Sequence, residues 1–242
     1  MADRINLAVE LNYLPKNVIR MKKSVHRSRM GLALILAVSY AIGSAILAAA
    51  PIKVACVGDS ITHNPVYTEA LGRLLGSNYV VSNYGMPGAT MLLKGDGPYP
   101  TWGTGYRDST ANLPDIVVIM FGSNDSKPQN WVHKSDFISD YKRLIHHYRD
   151  LPSHPKVYLN TCPFCYGENA FGILATNIQN DIVPMIKQIA REEGLPWIDV
   201  NTATMGMPQN FSDNVHPNDA GATAMAEIVY ASLKKPWKAA LP

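Results

Sequence analysis

Short apolar runs alternate along this chain with longer stretches of helical periodicity. Strand-like runs occupy residues 52–57, 79–82, 116–121, 156–160 and 197–200. Helical patterns occupy residues 66–75, 136–150, 177–193 and 219–233. Because strands that alternate with helices are joined by right-handed crossovers, this order predicts a parallel sheet covered on both faces. We therefore expect an α/β protein, built as a three-layer α/β/α sandwich.

Two places depart from this simple alternation. Pro184 lies inside the third helical pattern, and since proline has no N–H to donate, it predicts either a kink or a helix that starts near Asp181. Residues 88–114 show no regular pattern and are rich in Gly, Pro and Tyr. Loops of this length in compact domains are usually functional or mobile, so this segment is expected to lie near a site.

Charge divides the chain into two parts. The net charge is +3, but residues 1–50 hold seven of the 22 basic residues and only two of the 19 acidic ones. The remainder, with 15 basic and 17 acidic residues, is slightly acidic. No phosphate-binding surface is implied there, so we expect no nucleic-acid partner.

The basic residues of the first part directly precede an apolar run at 31–50. This arrangement is typical of a secretory signal peptide, and an uncleaved membrane anchor is the alternative. We therefore divide the chain into an N-terminal extension, residues 1–50, and a domain, residues 51–242. The domain is expected to be secreted or periplasmic, or held outside the cytoplasm by the anchor, which would be its only contact with a membrane.

A candidate nucleophile follows the first apolar run, in the sequence Gly58-Asp59-Ser60. A serine hydroxyl keeps its proton at neutral pH, so it needs a base. Near the C-terminus, Asp213 precedes His216 by three residues, which allows the carboxylate to orient the imidazole on one tight loop. His63 is the competing base, but it has no carboxylate beside it.

Two further turns at strand ends carry amide groups. Residues 83–88 follow the second strand and end in Gly88, and residues 122–125 follow the third strand and include Asn124. A glycine amide approaches a reacting carbonyl closely, and an asparagine side chain donates through its NH₂ group. Asp59, beside Ser60, is expected to hold its turn by hydrogen bonds, and Asp125, beside Asn124, is expected to be a structural partner rather than a catalytic acid.

Taken together, the four blocks resemble the SGNH hydrolases, also called GDSL esterases, over residues 52–233. The resemblance implies a flavodoxin-like five-stranded parallel sheet of order 2-1-3-4-5. It also implies that Ser60 is the nucleophile and that Asp213 and His216 complete the catalytic triad. The amides of Ser60 and Gly88 and the side chain of Asn124 would then form the oxyanion hole. Such enzymes act by acyl transfer, and no metal or cofactor is expected.

Residues 126–131 are similar to a branch of this family that contains carbohydrate O-acetylesterases, including sialate and xylan deacetylases. Tyr99, Trp102 and Trp131 would offer flat faces to a sugar, and Gln129 and Asn130 would contact its hydroxyl groups. The alternative is that these aromatic rings only anchor their loops. We expect a serine esterase that removes short acyl groups, above all acetyl, from carbohydrates.

Two other functions stay open at this point. A lipase, thioesterase or lysophospholipase of the same family would share every catalytic residue. A carbohydrate-binding protein without activity belongs to another class, and the presence of all five key positions disfavours it.

The chain contains three cysteines, Cys56, Cys162 and Cys165. Cys56 is expected to be a small buried residue of the first strand. The other two are expected to form a local disulfide or to remain inert thiols.

Overall fold

A computed structural model describes residues 50–236. The predicted N-terminal extension, with its signal peptide or anchor, lies outside this range except for Ala50. The strands are β1 (Ile52–Gly58), β2 (Tyr79–Gly85), β3 (Ile116–Met120), β4 (Lys156–Asn160) and β5 (Trp197–Ile198). All neighbours pair in parallel, in the order β2-β1-β3-β4-β5. The predicted five-stranded sheet and its order are confirmed.

The described residues also contain helices of very different lengths. The helices are α1 (Ser60–His63), α2 (Pro65–Leu75), α3 (Gly105–Ala111), α4 (Pro128–Trp131), α5 (Phe137–Arg149), α6 (Ala175–Asn177), α7 (Val183–Glu192), α8 (Val200–Thr204) and α9 (Asp219–Leu233). Helices α2, α5, α7 and α9 correspond to the four predicted segments. No helix between residues 50 and 236 is both long and apolar enough to cross a membrane.

The third predicted helix is interrupted as its proline indicated. Helix α6 passes into a π-helical turn at Ile178–Ile182, and α7 follows with Pro184 as its second residue. The wider turn lies where Pro184 removes an N–H donor from the helix ladder. Of the two alternatives at this proline, the structure therefore has the irregular helix rather than a start near Asp181.

Two apolar clusters cover the two faces of the sheet. On β1, Ala55 and Val57 belong to the cluster that includes α5 and α7, whereas Val54 and Cys56 belong to the cluster that includes α2 and α9. Successive strand residues point to opposite faces, so a strand that is buried on both sides is continuously apolar. This explains why β1, β3 and β4 appear in the sequence as apolar runs without alternation.

The long segment after β2 is more ordered than its composition indicates. The N–H of Thr90 donates to the carbonyl of Gly97 at 2.7 Å, and the N–H of Tyr99 donates to the carbonyl of Thr90 at 3.0 Å. The segment then forms α3, which the sequence pattern did not predict. The backbone that directly follows Gly88 is therefore held by hydrogen bonds.

Candidate active site

Ser60 is presented at the carboxyl end of β1 by a tight strand-to-helix turn. Asp59 caps α1, because its Oδ1 accepts a hydrogen bond from the N–H of Ile61 at 2.9 Å. A Cβ atom on Gly58 would lie 2.1 Å from Oγ1 of Thr62 and 2.5 Å from the carbonyl of Met120, so only glycine fits there. The predicted role of Asp59 in holding the turn is confirmed.

The loop before α9 brings a base and a carboxylate to this serine. Oγ of Ser60 lies 2.9 Å from Nε2 of His216, and Nδ1 of His216 lies 2.8 Å from Oδ2 of Asp213. The other oxygen of Asp213 accepts the N–H groups of Val215 and His216, at 2.9 and 2.6 Å. Asn214, between them, has a φ of 68°, a left-handed conformation that asparagine tolerates. The loop thus fixes the imidazole from its own backbone.

Asp213 remains ionised in this setting. Its partial burial raises the pKa of the carboxyl group, but the N–H groups of His216 and Val215 and the imidazole of His216 outweigh this effect and hold the pKa below its usual range. A charged Asp213 accepts a hydrogen bond from Nδ1–H of His216, which leaves Nε2 as the acceptor that faces Ser60.

The turns after β2 and β3 are tied together beside the serine turn. Met86 donates to the carbonyl of Gly58 at 2.9 Å, which connects the Gly88 loop to the end of β1. Gly88 has a φ of 82°, which favours glycine. Nδ2 of Asn124 donates to the carbonyl of Ala89 at 3.1 Å. Because an amide NH₂ carries two hydrogens, Asn124 keeps one for a substrate.

Asp125 fixes the same loop from below. Its Oδ2 accepts the N–H of Met91 at 3.1 Å and its Oδ1 accepts the N–H of Leu92 at 2.7 Å. The predicted structural role of Asp125 is confirmed. Asn124 and Asp125 together hold the backbone from residue 89 to residue 92, directly after Gly88.

The two buried carboxyl groups beneath the site differ from Asp213 in their protonation. Burial raises the pKa of Asp59 to about 7, although the N–H of Ile61 opposes this shift. Burial also raises the pKa of Asp125 to about 6, against the opposing N–H groups of Leu92 and Met91. Burial therefore raises the pKa values of these two groups toward neutrality, whereas the pKa of Asp213 is lowered.

His63 does not occupy the position of a base. Its Nδ1 lies 3.0 Å from the carbonyl of Gly85, and the side chain is exposed. The imidazole that contacts Ser60 is that of His216.

Three of the five predicted sugar-contacting residues are buried, and the predictions for them are wrong. Tyr99 is 1% exposed and its hydroxyl donates to the carbonyl of Tyr84; Trp131 is 7% exposed and its Nε1 donates to Asp181. Asn130 is also buried. These side chains turn inward because each polar atom finds a partner inside the protein, so they anchor the loops.

Asn130 connects two parts of the site region. Its Nδ2 donates to Oδ1 of Asp96 and to the carbonyl of Asn124, at 2.9 and 2.8 Å. Gln129 is exposed and donates to Oδ2 of Asp96 at 3.1 Å. Asp96 thus binds both amides, but only Asn130 is buried, and Gln129 remains exposed.

Trp102 and Phe171 are the exposed aromatic residues beside the site groups. Trp102, which was predicted, is 43% exposed. It lies beside Gly88, since a Cβ atom added to that glycine would be 3.5 Å from Nε1 of Trp102. Phe171, which was missed, is 42% exposed and meets the His216 ring edge-to-face, with 4.7 Å between ring centroids. The only sequence signal for Phe171 is an aromatic residue in a short segment between Gly167 and Gly172.

The described chain also contains a cavity of about 740 Å³ at another place. It is lined by residues from the 91–100 loop, α3 and α5, among them Met91, Tyr106 and His147, and not by the Ser60 relay. The hydrogen bonds that join Ser60, His216 and Asp213 therefore identify the candidate site, whereas the volume of this cavity does not.

The cysteines are not part of this arrangement. Cys56, Cys162 and Cys165 are buried, unpaired thiols, and burial raises the pKa of Cys56 to about 12 and also raises those of the other two. The expected burial of Cys56 is confirmed, and of the two alternatives for Cys162 and Cys165, the structure has free thiols. Within residues 50–236, no group of three His, Cys, Asp or Glu side chains is placed to hold a metal ion.

The fold and the four blocks define a candidate catalytic site at the carboxyl ends of parallel strands in an α/β/α sandwich. Residues 56–224 match the GDSL-like lipase/acylhydrolase family, and the chain belongs to that family.

Relatives with known sequences or structures are consistent with this assignment. An acetylxylan esterase of Xylanibacter ruminicola is 35% identical over 209 residues, which cover 76% of this chain and 43% of the relative. The chain thus spans less than half the length of that relative. The lipase/acylhydrolase from Enterococcus faecalis is 25% identical, with a TM-score of 0.61, covering 78% of this chain and all of that structure.

A third similarity supports the fold alone. A catalytic mutant of the acetylxylan esterase Axe2 from Geobacillus stearothermophilus has a TM-score of 0.60 and 20% identity, covering 78% of this chain and 97% of the other.

Proposed function

We propose that this enzyme removes acetyl groups from carbohydrates through a Ser60, His216 and Asp213 relay. The observation that carries the mechanism is the continuous pair of contacts, 2.9 Å from Ser60 to His216 and 2.8 Å from His216 to Asp213. These distances lie within the reach that proton transfer between a nucleophile and its base requires.

The first half of the reaction acylates the serine. Nε2 of His216 takes the hydroxyl proton while Oγ of Ser60 forms a bond to the ester carbonyl carbon, and the carbonyl π electrons move to its oxygen. The amides of Ser60 and Gly88 and the free hydrogen of the Asn124 amide stabilise that oxyanion. When the carbonyl re-forms, the bond to the sugar oxygen breaks, and this oxygen receives the proton from Nε2.

The second half returns the enzyme to its starting state. Nε2 takes a proton from water, whose oxygen bonds to the acyl carbon and forms a second oxyanion. Collapse breaks the bond to Oγ of Ser60, which receives the proton from Nε2, and acetate leaves. Each cycle consumes one water molecule and one ester.

The open setting of the relay supports a carbohydrate ester as substrate. The side chains of His216 and Asp213 are 29% and 40% exposed, so a bulky, hydrated molecule can reach the serine without entering a closed tunnel. A long acyl chain would instead need a continuous apolar wall, since each buried methylene contributes about 0.8 kcal/mol. The acetylxylan esterase relative supports the same substrate class.

The test is acetate release from acetylated xylan, sialic acid and pectin fragments, combined with p-nitrophenyl esters from acetate to dodecanoate. We expect acetate from at least one glycan, and kcat/KM that falls beyond about four carbons because no apolar channel rewards longer chains. A maximum at eight carbons or longer would favour a lipase. Glycan binding without any ester cleavage would favour the non-catalytic alternative.

We also propose that the domain is exported. The basic residues 20–29 followed by the apolar run 31–50 support this proposal. N-terminal sequencing of the protein recovered from membrane and soluble extracytoplasmic fractions distinguishes a cleaved signal peptide from a retained anchor, and recovery from the cytoplasm would contradict export.

A further inference from the structure

The segment between β4 and α6 places an exposed phenylalanine directly against the catalytic imidazole. Phe171 meets His216 at 4.7 Å between ring centroids and 85° between ring planes. Two glycines with positive φ, Gly167 at 126° and Gly172 at 72°, flank it. A Cβ atom on either glycine would meet nothing within 4 Å, so these glycines serve the backbone path and not close packing.

Asn169 holds this segment in one shape. Its Oδ1 accepts the N–H groups of Phe171 and Ile173, at 3.1 and 3.2 Å. Its Nδ2 donates to the carbonyl of Ile173 at 2.9 Å. The backbone on both sides of Phe171 is therefore fixed by one side chain, which limits the conformational freedom that substrate binding would otherwise have to remove.

The same segment is bound to both halves of the site. The N–H of Leu174 donates to Oγ of Ser126 at 3.0 Å, next to the turn that carries Asn124. Nδ2 of Asn214, in the His216 loop, donates to the carbonyl of Glu168 at 2.7 Å. Phe171 thus has a fixed position relative to the catalytic base.

The chemistry of the proposed reaction defines which part of the substrate lies near Phe171. Nε2 of His216 must hand its proton to the leaving oxygen, so that oxygen comes within hydrogen-bond reach of the imidazole. The acyl carbonyl oxygen instead points toward Gly88 and Asn124. A group that packs on His216 is therefore next to the alcohol part of the ester.

We propose that Phe171 forms a leaving-group subsite and covers the apolar C–H face of the pyranose ring from which acetate is removed. This inference rests on the proposed function and assigns a sugar contact that the aromatic residues Tyr99 and Trp131 cannot make. Covering a C–H face removes apolar surface from both partners from water, while the hydroxyl groups at the ring edge stay solvated. Trp102, beside Gly88, lies toward the oxyanion side instead.

The experiment compares two acetyl esters that differ only in their alcohol: acetylated xylotriose and ethyl acetate. Phe171→Ala should lower kcat/KM for the sugar ester about 10-fold, mainly through KM, as expected when one aromatic contact is lost. For ethyl acetate, which has no ring to cover, the loss should stay below about threefold. Phe171→Tyr should restore most of the sugar activity, because it keeps the ring.

Leu174→Ala is the matched control. Leu174 belongs to the same segment and has similar exposure, 37%, but its contribution to the loop is a backbone N–H that alanine keeps. It should change both substrates less than about threefold. Equal losses on both esters in Phe171→Ala would mean that Phe171 only positions His216, and no loss on either would remove it from the site. Both outcomes overturn the proposal.

Acyl length gives a second comparison. Because Phe171 is assigned to the alcohol part, Phe171→Ala should leave the ratio of acetate to butyrate turnover unchanged for a single alcohol. A changed ratio would place Phe171 at the acyl group and contradict the assignment.

A binding measurement separates this inference from the proposed function. Unacetylated xylotriose carries no ester, so its affinity can be measured by calorimetry with Ser60→Ala and with Ser60→Ala/Phe171→Ala. If binding depends on Phe171 while the wild type releases no acetate from any glycan, the sugar contact of Phe171 stands, but the proposed function and the leaving-group role both fail. If the wild type deacetylates glycans while neither KM nor binding responds to Phe171→Ala, the function stands and the subsite fails. If the wild type releases no acetate and binding does not respond to Phe171→Ala, both the proposed function and the subsite are refuted.

Discussion

Two polar clusters lie near the same edge of the sheet, and both contain aspartate. One is the open relay of Ser60, His216 and Asp213. The other is the buried support formed by Asp59, Asp125 and Asn130, which are 0 or 1% exposed. In the open relay the pKa of a carboxyl group is lowered, whereas in the buried support two carboxyl groups have raised pKa values. The surroundings, and not the residue type, therefore separate chemistry from support.

This comparison predicts different effects of substitutions in the two clusters. Substitutions in the open relay should remove activity with little change in the free energy of unfolding, because those side chains are less buried than the residues of the support. Substitutions in the buried support should change stability, and should change activity only as far as they move Gly88 or Asn124.

The largest effect is expected for the nucleophile. Ser60→Ala should lower kcat on p-nitrophenyl acetate by about 10⁶-fold, as for other serine hydrolases that lose this group. Its urea midpoint should stay close to that of the wild type. A fluorophosphonate should label the wild type at Ser60; labelling at another serine, located by peptide mass spectrometry, would overturn the assignment.

The base should matter nearly as much. His216→Ala should lose activity on a scale similar to Ser60→Ala, because the serine then has no proton acceptor. His63→Ala is the matched control, since His63 is an exposed imidazole near the same strand ends that contacts Gly85 and not Ser60. It should lower kcat by less than about threefold. Comparable losses in the two variants would show that His63 takes part.

A smaller loss is expected at the junction of the two clusters. Asn124→Ala should lower kcat by about 10²- to 10³-fold with little change in KM, which is the usual cost of one oxyanion donor. Steady-state kinetics on p-nitrophenyl acetate measures both constants. A raised KM with an unchanged kcat would instead identify Asn124 as a group that binds the ground state.

The sequence could predict the open relay because each of its residues follows a recognisable strand end or lies three positions from its partner. The same reasoning placed Tyr99 correctly in a loop, but it missed the short helix α4 that carries Asn130 and Trp131 and could not show that the three side chains point inward. Their burial depends on Tyr84, Asp96 and Asp181, which are 15, 34 and 50 positions away. Partners this distant leave no local pattern.

Phe171 could not be predicted for a related reason. Its contact with His216 depends on the hydrogen bonds of Asn169 and on the path between two glycines, and neither has periodicity. Helix α3 was missed because seven residues, Gly105–Ala111, contain too few apolar positions to define a face. The central strands β1, β3 and β4, by contrast, were predictable because they are buried on both sides and so appear as apolar runs, whereas the strand order came from the family resemblance.

Within the buried support, Asp125 should affect both stability and catalysis. Asparagine has one acceptor oxygen where the carboxylate has two, so Asp125→Asn would leave the N–H of Met91 or of Leu92 facing an NH₂ group. We expect a loss of about 1 to 3 kcal/mol in the free energy of unfolding and a fall of about 10-fold in kcat, as the Gly88 loop shifts.

Asp140→Asn is the control for this loop. Asp140 accepts one hydrogen bond, from the N–H of Leu93 at 2.9 Å, and asparagine can still accept it. Urea unfolding and kinetics should therefore show smaller changes than for Asp125→Asn. Unchanged kcat in Asp125→Asn would mean that the loop holds Gly88 without this carboxylate.

The smallest effect is expected to appear only as a pH dependence, at Asp59. Burial raises the pKa of this group to about 7, so between about pH 4 and pH 7 the folded protein binds a proton that the unfolded chain has released. The stabilising effect of this proton is complete below the unfolded pKa and is lost as the pH rises through the folded pKa, at up to about 1.4 kcal/mol per pH unit.

Asp59→Asn keeps an oxygen for the N–H of Ile61 but cannot ionise. Relative to the wild type, its free energy of unfolding should therefore improve by about 2 to 3 kcal/mol between pH 5 and pH 8. Urea titrations of both proteins at the two pH values measure this difference, and groups shared by the two chains cancel. Parallel curves would mean that Asp59 stays charged beneath Ser60, and that the buried support resembles the open relay in its ionisation.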